Sequence, residues 1–181
     1  QAGEETMGWK KVKEHYRIGH IVQVTEKGIC IGSRYIHDII VVGLDGHIVK
    51  GDGHSMRNDE LARYQSEMML DPQKLRELVT AEDEFAVSLP VYTYDGAAIV
   101  EKRCEEYGWP NVTHDGAIMY ENTFSPDRDR VVEWAKSNCL AAIRNAREWL
   151  DRCQAEVKTA DERLAGYLAN AAALGVEVDP T

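Results

Sequence analysis

Residues 125–174 decide the fold, and they read SPDRDRVVEWAKSNCLAAIRNAREWLDRCQAEVKTADERLAGYLANAAAL. Within them Ile143, Leu150, Val157, Leu164 and Ala171 recur at seven-residue intervals, and a small or apolar residue follows each of them three positions later. Charged side chains occupy most of the outer positions. An apolar seam with this spacing, sustained over five repeats, predicts one long helix that pairs with another helix.

The flanking residues predict where this helix begins and ends. Ser125 can cap its N-terminus, Pro126 suits the first helical position, and Gly175 stands where a helix stops. A helix over 125–175 would be about 75 Å long, more than twice the width of a domain built from the remaining chain. Its far half therefore needs a partner. The alternative is a break near residues 136–138 or Gly166, with the helix folded back on itself.

We expect the partner to be a second copy of the chain, in a homodimer or higher homo-oligomer, because two-fold homodimers are the commonest way to cover an unpaired seam. The predicted oligomer seam consists of Ile143, Leu150, Cys153, Val157, Leu164 and Tyr167.

Residues 7–124 predict an antiparallel α+β body. β-branched runs alternate with turn residues from Tyr16 onward, and Asp-Gly pairs at 45–46, 95–96 and 115–116 indicate three hairpins, with a fourth turn at Lys27-Gly28. Between the strands, Asn58 or Ser55 can cap a short helix that runs through Met69, and Asp71-Pro72 is a typical start for another. The predicted fold class is therefore α+β, with antiparallel hairpin sheets, short helices and the long C-terminal heptad-patterned helix.

Composition favours a folded chain in the cytoplasm, with no membrane segment and no cofactor. No apolar run approaches the roughly 18 residues of a membrane span. The four cysteines, at positions 30, 104, 139 and 153, lack the C-x-x-C spacing of a zinc site. We interpret Cys139 and Cys153, which are two heptads apart on the helix, as small packing residues. Residues 1–6 precede Met7, where we expect the natural chain to begin.

The net charge of −10 is concentrated in the middle of the chain. Residues 57–125 hold six Lys and Arg against fourteen Asp and Glu. This surplus disfavours direct nucleic-acid binding and favours a basic protein surface as partner. A solvated acidic face is the simpler interpretation. The predicted acidic partner surface consists of Glu82, Asp83, Glu84, Glu105 and Glu106.

A cluster of aromatic residues with hydrogen-bonding neighbours is the second candidate site. Rings beside polar groups can hold a nucleotide or form an interface hot spot, although most such rings simply cover a sheet. The predicted ligand-binding or partner-binding residues are Tyr94, Arg103, Tyr107, Trp109, Asn111, His114 and Tyr120.

Two His-Asp pairs, His37-Asp38 and His114-Asp115, raise the alternative of a small metal-dependent hydrolase. The first pair is predicted in a strand, where adjacent side chains face opposite sides and cannot chelate one ion together. The second pair lies in a turn. We therefore predict no metal site and no catalytic residues.

Residues 107–124, YGWPNVTHDGAIMYENTF, and the stretch 28–42 resemble small uncharacterised proteins encoded by bacteriophages and prophages. The resemblance implies a viral accessory protein that binds and inhibits a host defence component, as an anti-CRISPR protein does, or that sequesters a nucleotide signal. The expected function is thus non-enzymatic inhibition of a host protein through the acidic surface. Nucleotide sequestration and metal-dependent hydrolysis are the alternatives.

Overall fold

The computed structural model describes residues 8–51 and 58–178, and it confirms the α+β class. Two antiparallel sheets of four and two strands are combined with three short helices and one long C-terminal helix. In chain order the elements are α1 (Trp9–His15), β1 (Ile21–Thr25), β2 (Gly28–Gly32), β3 (Ile40–Val42), β4 (Ile48–Lys50), α2 (Asp59–Leu70), α3 (Pro72–Thr80), β5 (Leu89–Asp95), β6 (Ala98–Cys104) and α4 (Arg128–Ala173).

The four-stranded sheet is an antiparallel meander in the order β1-β2-β3-β4. Its register pairs Val22 with Ile31 and Ile31 with Ile40, so these side chains form a row on one face. All three are buried in the main core. Because side chains alternate along a strand, Gln23 and Cys30 lie on the opposite face.

Helices α1, α2 and α3 contribute the apolar side chains that bury this face. Tyr64 and Met68 of α2 and Leu75 of α3 are almost fully buried, each worth about 1.5–3 kcal/mol relative to exposure. The predicted helix starts are confirmed, since Asn58 accepts hydrogen bonds from the amides of Glu60 and Leu61, and Asp71 accepts one from Lys74. The alternative cap, Ser55, lies outside the described residues. Helix α1 was not predicted, although its buried residues sit at helical spacing.

The hairpin of β5 and β6 is confirmed with a shift in its turn. Asp95 pairs with Ala98, so the central turn residues are Gly96 and Ala97. Gly96 has φ +55°, whereas Ala97 has no positive φ. A glycine at the first central position with positive φ there alone is typical of a type II′ turn, and the predicted Asp-Gly centre is wrong by one residue.

The predicted third hairpin at 115–116 forms a tight turn and isolated bridges rather than strands. Gly116 has φ +83°, and its carbonyl accepts a hydrogen bond from the Val24 amide at 2.9 Å. A Cβ at Gly116 would lie 2.3 Å from Val24 Cγ2, so only glycine fits this contact with β1. Asp115 accepts hydrogen bonds from Lys102 and Thr113; although burial raises the pKa of Asp115, these bonds outweigh it and lower the pKa.

The predicted strand over 35–42 is shorter in the structure. β3 begins at Ile40, and residues 33–39 form a loop whose backbone at Ile36 and His37 lies against Gly32. His37 and Asp38 are therefore loop residues, and the prediction that they belong to a strand is wrong. Asp38 instead bonds Lys27 at 2.9 Å and Lys50 at 3.2 Å, which tie the loop to both neighbouring parts of the sheet.

Helix α4 runs without interruption for 46 residues, and the alternative of a broken, folded-back helix is wrong. Its cap is Asp127, which accepts hydrogen bonds from the amides of Asp129 and Arg130. The predicted cap Ser125 instead pairs with Tyr92 of β5 through two backbone hydrogen bonds, because its chain continues the second sheet. Among residues 8–51 and 58–178, no helix is both long and apolar enough to cross a membrane.

The chain divides into one unit ending at Trp134 and another starting at Ala135. The first turns of α4 thus belong to the body, where Val131 is fully buried. The predicted division into residues 7–124 and 125–175 stays a prediction.

Candidate functional site

The heptad seam of α4 is an exposed apolar surface. Its large residues at the predicted positions, Ile143, Leu150, Val157, Leu164 and Tyr167, are between 43% and 69% exposed, and Cys153 is partly exposed. Helices in water bury such a stripe against another element. A contiguous exposed stripe of this kind marks an interaction surface.

Three further apolar side chains lie beside the predicted seam positions and widen the exposed stripe. Leu140 and Leu168 lie on one flank of the seam and Trp149 on the other, and all three are exposed. A wider stripe buries more apolar area when another helix covers it. The sequence carried this signal at the positions flanking the seam, which the prediction did not include.

A shallow groove beside the middle of the seam is lined by the small residues Ala155, Thr159 and Ala160 together with Glu156 and Arg163. Of these only Ala160 is a seam position, since Ala155 and Thr159 lie towards the outer side of the helix. The groove therefore adjoins the seam on the side where Glu156 and Arg163 stand.

Two of the five predicted acidic residues hold α1 in place. The first amides of a helix lack intrahelical partners, and Gly8, which precedes α1, has no side chain to supply one. Asp83 supplies it from a distance of more than 70 residues in sequence: Oδ2 accepts a hydrogen bond from the Lys10 amide at 2.8 Å, and Oδ1 accepts one from the Lys11 amide at 2.9 Å. Burial raises the pKa of Asp83 in spite of these bonds.

Glu105 is the second carboxylate with a structural role. It pairs with Lys10 Nζ at 2.8 Å and accepts a hydrogen bond from the Ala86 amide at 3.0 Å. Burial raises the pKa of Glu105, but the bonds to Lys10 and Ala86 prevail and lower it. Asp83 and Glu105 thus both fasten the N-terminal turns of α1 to the segment around residues 83–86.

The other three predicted acidic residues, Glu82, Glu84 and Glu106, are exposed. Within the part of the chain that the structure describes, their carboxylates make no ion pair. They are the carboxylates of this group that remain available to a basic partner. Binding of such a partner through them stays a prediction.

The structure does not gather the predicted aromatic site into one pocket. Tyr107 donates a hydrogen bond to the Pro90 carbonyl and its own carbonyl accepts one from Asn111, while His114 stacks on Phe85 with ring centroids 3.8 Å apart. His114 also lies within 3.2 Å of the Val87 carbonyl.

Among the remaining members, Arg103 is joined to His114 through its backbone, because its carbonyl accepts a hydrogen bond from the His114 amide at 2.7 Å. Arg103 pairs with the neighbouring Glu101 at 2.8 Å. Tyr94 is half-buried on β5.

Trp109 and Tyr120 have a feature in common, because both contact the loop over residues 33–39. Arg34 lies over the Trp109 ring at 5.1 Å, and the Tyr120 hydroxyl is 3.4 Å from His37 Nε2. These rings thus support a loop on the outer face of the four-stranded sheet.

Clefts among the described residues of the body include one near α1 and one beside the loop over residues 33–39. One, of about 390 Å³, brings Glu105, Glu106 and Asn111 together with Lys13 and Arg17 of the α1 region. Its charges are mixed, so it carries no strong preference for an anion or a cation.

The other cleft, of about 510 Å³, lies beside the loop over residues 33–39. It is lined by Gln23, Thr25 and Cys30 of the sheet and by Tyr35 and His37 of the loop. The Nδ1 atom of His37 is buried without a hydrogen-bond partner. Because it is buried, this atom is not open to a ligand in the cleft.

No group of three or more His, Cys, Asp or Glu residues that could hold a metal ion occurs within residues 8–51 and 58–178. No protein family, curated protein or solved structure matches the chain. Among the residues that the structure describes, the seam of α4 is the candidate site with the most exposed large apolar side chains.

Proposed function

We propose that this protein is a non-enzymatic binding protein that works as a homo-oligomer assembled through the seam of α4. The observation that carries the proposal is the exposed apolar stripe along residues 140–174. A single chain leaves this stripe in water, and covering it is favourable in proportion to its apolar area. A second copy of the chain is the simplest partner, because it carries the same apolar stripe and the two stripes can bury each other across a two-fold axis.

Within this proposal, the body of each copy binds the target, a basic host protein. The exposed carboxylates of Glu82, Glu84 and Glu106 provide a negative surface for a basic protein, and the bacteriophage resemblance of residues 107–124 makes a host defence component the proposed target. An oligomer would present several copies of this surface and strengthen binding through avidity.

The test of self-association is sedimentation of the full chain at several concentrations. We expect a mass of twice the chain mass of 20.4 kDa or a higher multiple. The double variant Leu150→Lys with Leu164→Lys places two charges in the seam. Because burying them in the interface is unfavourable, this variant should be a monomer. The matched control is Ala165→Lys with Ala169→Lys, which adds the same charge on the outer face of the helix and should leave the mass unchanged.

Lysine is a good helix former, so circular dichroism should show the same helix content in all three proteins. A wild-type chain that stays at 20.4 kDa at every concentration would overturn the proposal. A seam variant that retains the oligomer would place the interface elsewhere.

The test of the acidic surface is binding to a panel of purified bacterial defence proteins with basic surfaces. Charge reversal at the three exposed carboxylates should weaken binding, and binding should fall steeply with salt. The matched control reverses three acids on the outer face of α4. The two sets are Glu82→Lys, Glu84→Lys, Glu106→Lys and, as control, Glu148→Lys, Asp151→Lys, Glu162→Lys. Equal binding by both variants would remove the acidic surface from the proposal.

A further inference from the structure

The charges beside the seam determine in which direction two copies of α4 pair, an inference that rests on the proposed self-association. Glu156 and Arg163 each stand one position before a large seam residue, Val157 and Leu164. Both are exposed, and neither makes an ion pair with another described residue. They are seven residues apart on the same side of the helix, and both line the shallow groove that includes Ala160. Charges at such positions set partner orientation in paired helices.

A parallel pair in register brings like charges together. In that arrangement the residue just before Val157 or Leu164 on one helix faces the residue five positions further along the sequence on the other helix. Glu156 would face Asp161 of the second copy, and this repulsion would occur twice in the dimer. Arg163 would face Leu168 of the second copy and gain no partner.

An antiparallel pair brings opposite charges together instead. When Val157 packs against Ala160 of the second copy, Glu156 comes beside Arg163 of that copy, and the two-fold axis repeats the contact. We infer that the protein forms an antiparallel homodimer in which Glu156 and Arg163 pair across the interface, with the midpoint of the pairing between residues 158 and 159. The charges that lack partners within one chain thereby satisfy each other.

The same two residues select one register. Sliding one helix by a heptad in one direction places Glu156 beside Glu156 of the second copy. Sliding it by a heptad in the other direction places Arg163 beside Arg163. Both shifts replace two attractions by a central repulsion, so the proposed register is the one that the charges favour over its neighbours.

The apolar layers of this register use the whole seam. In the central layers, the small residues Ala160 and Cys153 of one copy meet Val157 and Leu164 of the other, whereas a parallel pair would stack Ala160 on Ala160. In these central layers, opposing small and large side chains fill the interface. The pairing has five kinds of layer, each of which the two-fold axis repeats: Ile143 with Leu174, Leu150 with Tyr167, Val157 with Ala160, Leu164 with Cys153, and Ala171 with Ala146.

The test is the dimer dissociation constant of charge variants of the full chain, measured by sedimentation equilibrium at low salt. In Glu156→Arg, arginine faces Arg163 twice, so the antiparallel pairing predicts that Kd rises by about tenfold as two attractions become two repulsions. Arg163→Glu should have the same effect. The double variant Glu156→Arg with Arg163→Glu restores both pairs and should have a Kd close to that of the wild type.

A parallel dimer gives the opposite signs. There Glu156→Arg places arginine beside Asp161 and lowers Kd, while Arg163→Glu leaves Kd unchanged. Either result, or a Glu156→Arg variant with unchanged Kd, overturns the antiparallel pairing while leaving self-association intact. A wild-type chain that does not dimerise overturns both proposals, so the two failures are distinguishable. Unchanged helix content in each variant shows that α4 itself is intact.

Discussion

Removing the Asp83 carboxylate should destabilise the body by uncapping α1. Its two oxygens accept hydrogen bonds from the amides of Lys10 and Lys11, the second and third residues of the helix. These are the amides that a helix cap normally satisfies. In Asp83→Ala both lose their partner, because Gly8 cannot replace it. Asp83 was predicted as a partner-binding residue, so this variant separates a structural role from a binding role.

The expected loss in the free energy of unfolding is about 1–2 kcal/mol, the usual cost of removing a helix cap. For a chain of this length each kcal/mol lowers Tm by about 2–4 °C, so Tm should fall by roughly 2–8 °C. Asp83→Asn keeps one acceptor oxygen and should lose about half as much. We expect the loss in the free energy of unfolding to stay near that of an ordinary helix cap. It should be smaller than the loss of two hydrogen bonds to a fully ionised carboxylate, because burial raises the pKa of Asp83.

The assay is urea unfolding followed by tryptophan fluorescence, because Trp9 of α1 is only 6% exposed and reports on this helix. The matched control is Glu82→Ala, which removes a neighbouring exposed carboxylate and should change the free energy of unfolding by less than about 0.5 kcal/mol. Equal stability of Asp83→Ala and Glu82→Ala would refute the capping role and return Asp83 to the candidates for partner binding.

Three further predictions concern a glycine turn, a titrating loop and the seam. Gly116→Ala should cost about 1–3 kcal/mol more than Gly108→Ala, because both glycines have the same positive φ but only Gly116 contacts β1; equal losses in urea unfolding would contradict this. The Asp38 carboxylate should titrate with a pKa of about 2, lowered by its bond to Lys27. Its stabilising contribution is therefore present above the unfolded pKa and lost as pH falls towards 2, and carboxyl NMR of Lys27→Met should show a raised pKa. An unchanged pKa would refute the pairing. Leu150→Ala should weaken dimerisation by roughly thirtyfold, since half of a leucine side chain is reburied in each copy; an unchanged Kd would place Leu150 outside the interface.

The elements with strong local signals were predictable from the sequence. The heptad seam predicted α4 because its period repeats over many residues, and Asn58 and Asp71 marked their helices because capping depends on one side chain and the next few amides. Short strands between β-branched runs and glycine turns were found for the same reason, although the turn at Gly96 was displaced by one residue. Local rules place an element reliably but define its ends less well.

What depends on distant residues was not predictable. Helix α1 is only seven residues long, and its cap comes from Asp83, which no local pattern connects to it. Ser125 is a good cap in isolation, yet its pairing with Tyr92 leaves that role to Asp127. Asn111 bonds Tyr107 and the His114 amide bonds the Arg103 carbonyl, but the rings of His114, Trp109 and Tyr120 lie against Phe85, Arg34 and His37, which no local pattern indicates. The acidic residues of the middle segment were visible in the sequence, whereas the bonds of Asp83 and Glu105 to α1 were not.

The most direct test of the central claim is a distance between two copies of α4 in solution. The spin label is attached at Arg144→Cys in a chain that also carries Cys139→Ala and Cys153→Ala. Position 144 lies about 14.5 residues from the proposed midpoint at about 1.5 Å per residue. Double electron–electron resonance should therefore report a distance of about 44 Å between the two labels. A parallel dimer would instead give a distance below about 20 Å, since the labels would lie side by side on adjacent helices. The absence of any dipolar signal would show that the copies do not pair, and it would contradict the account as a whole.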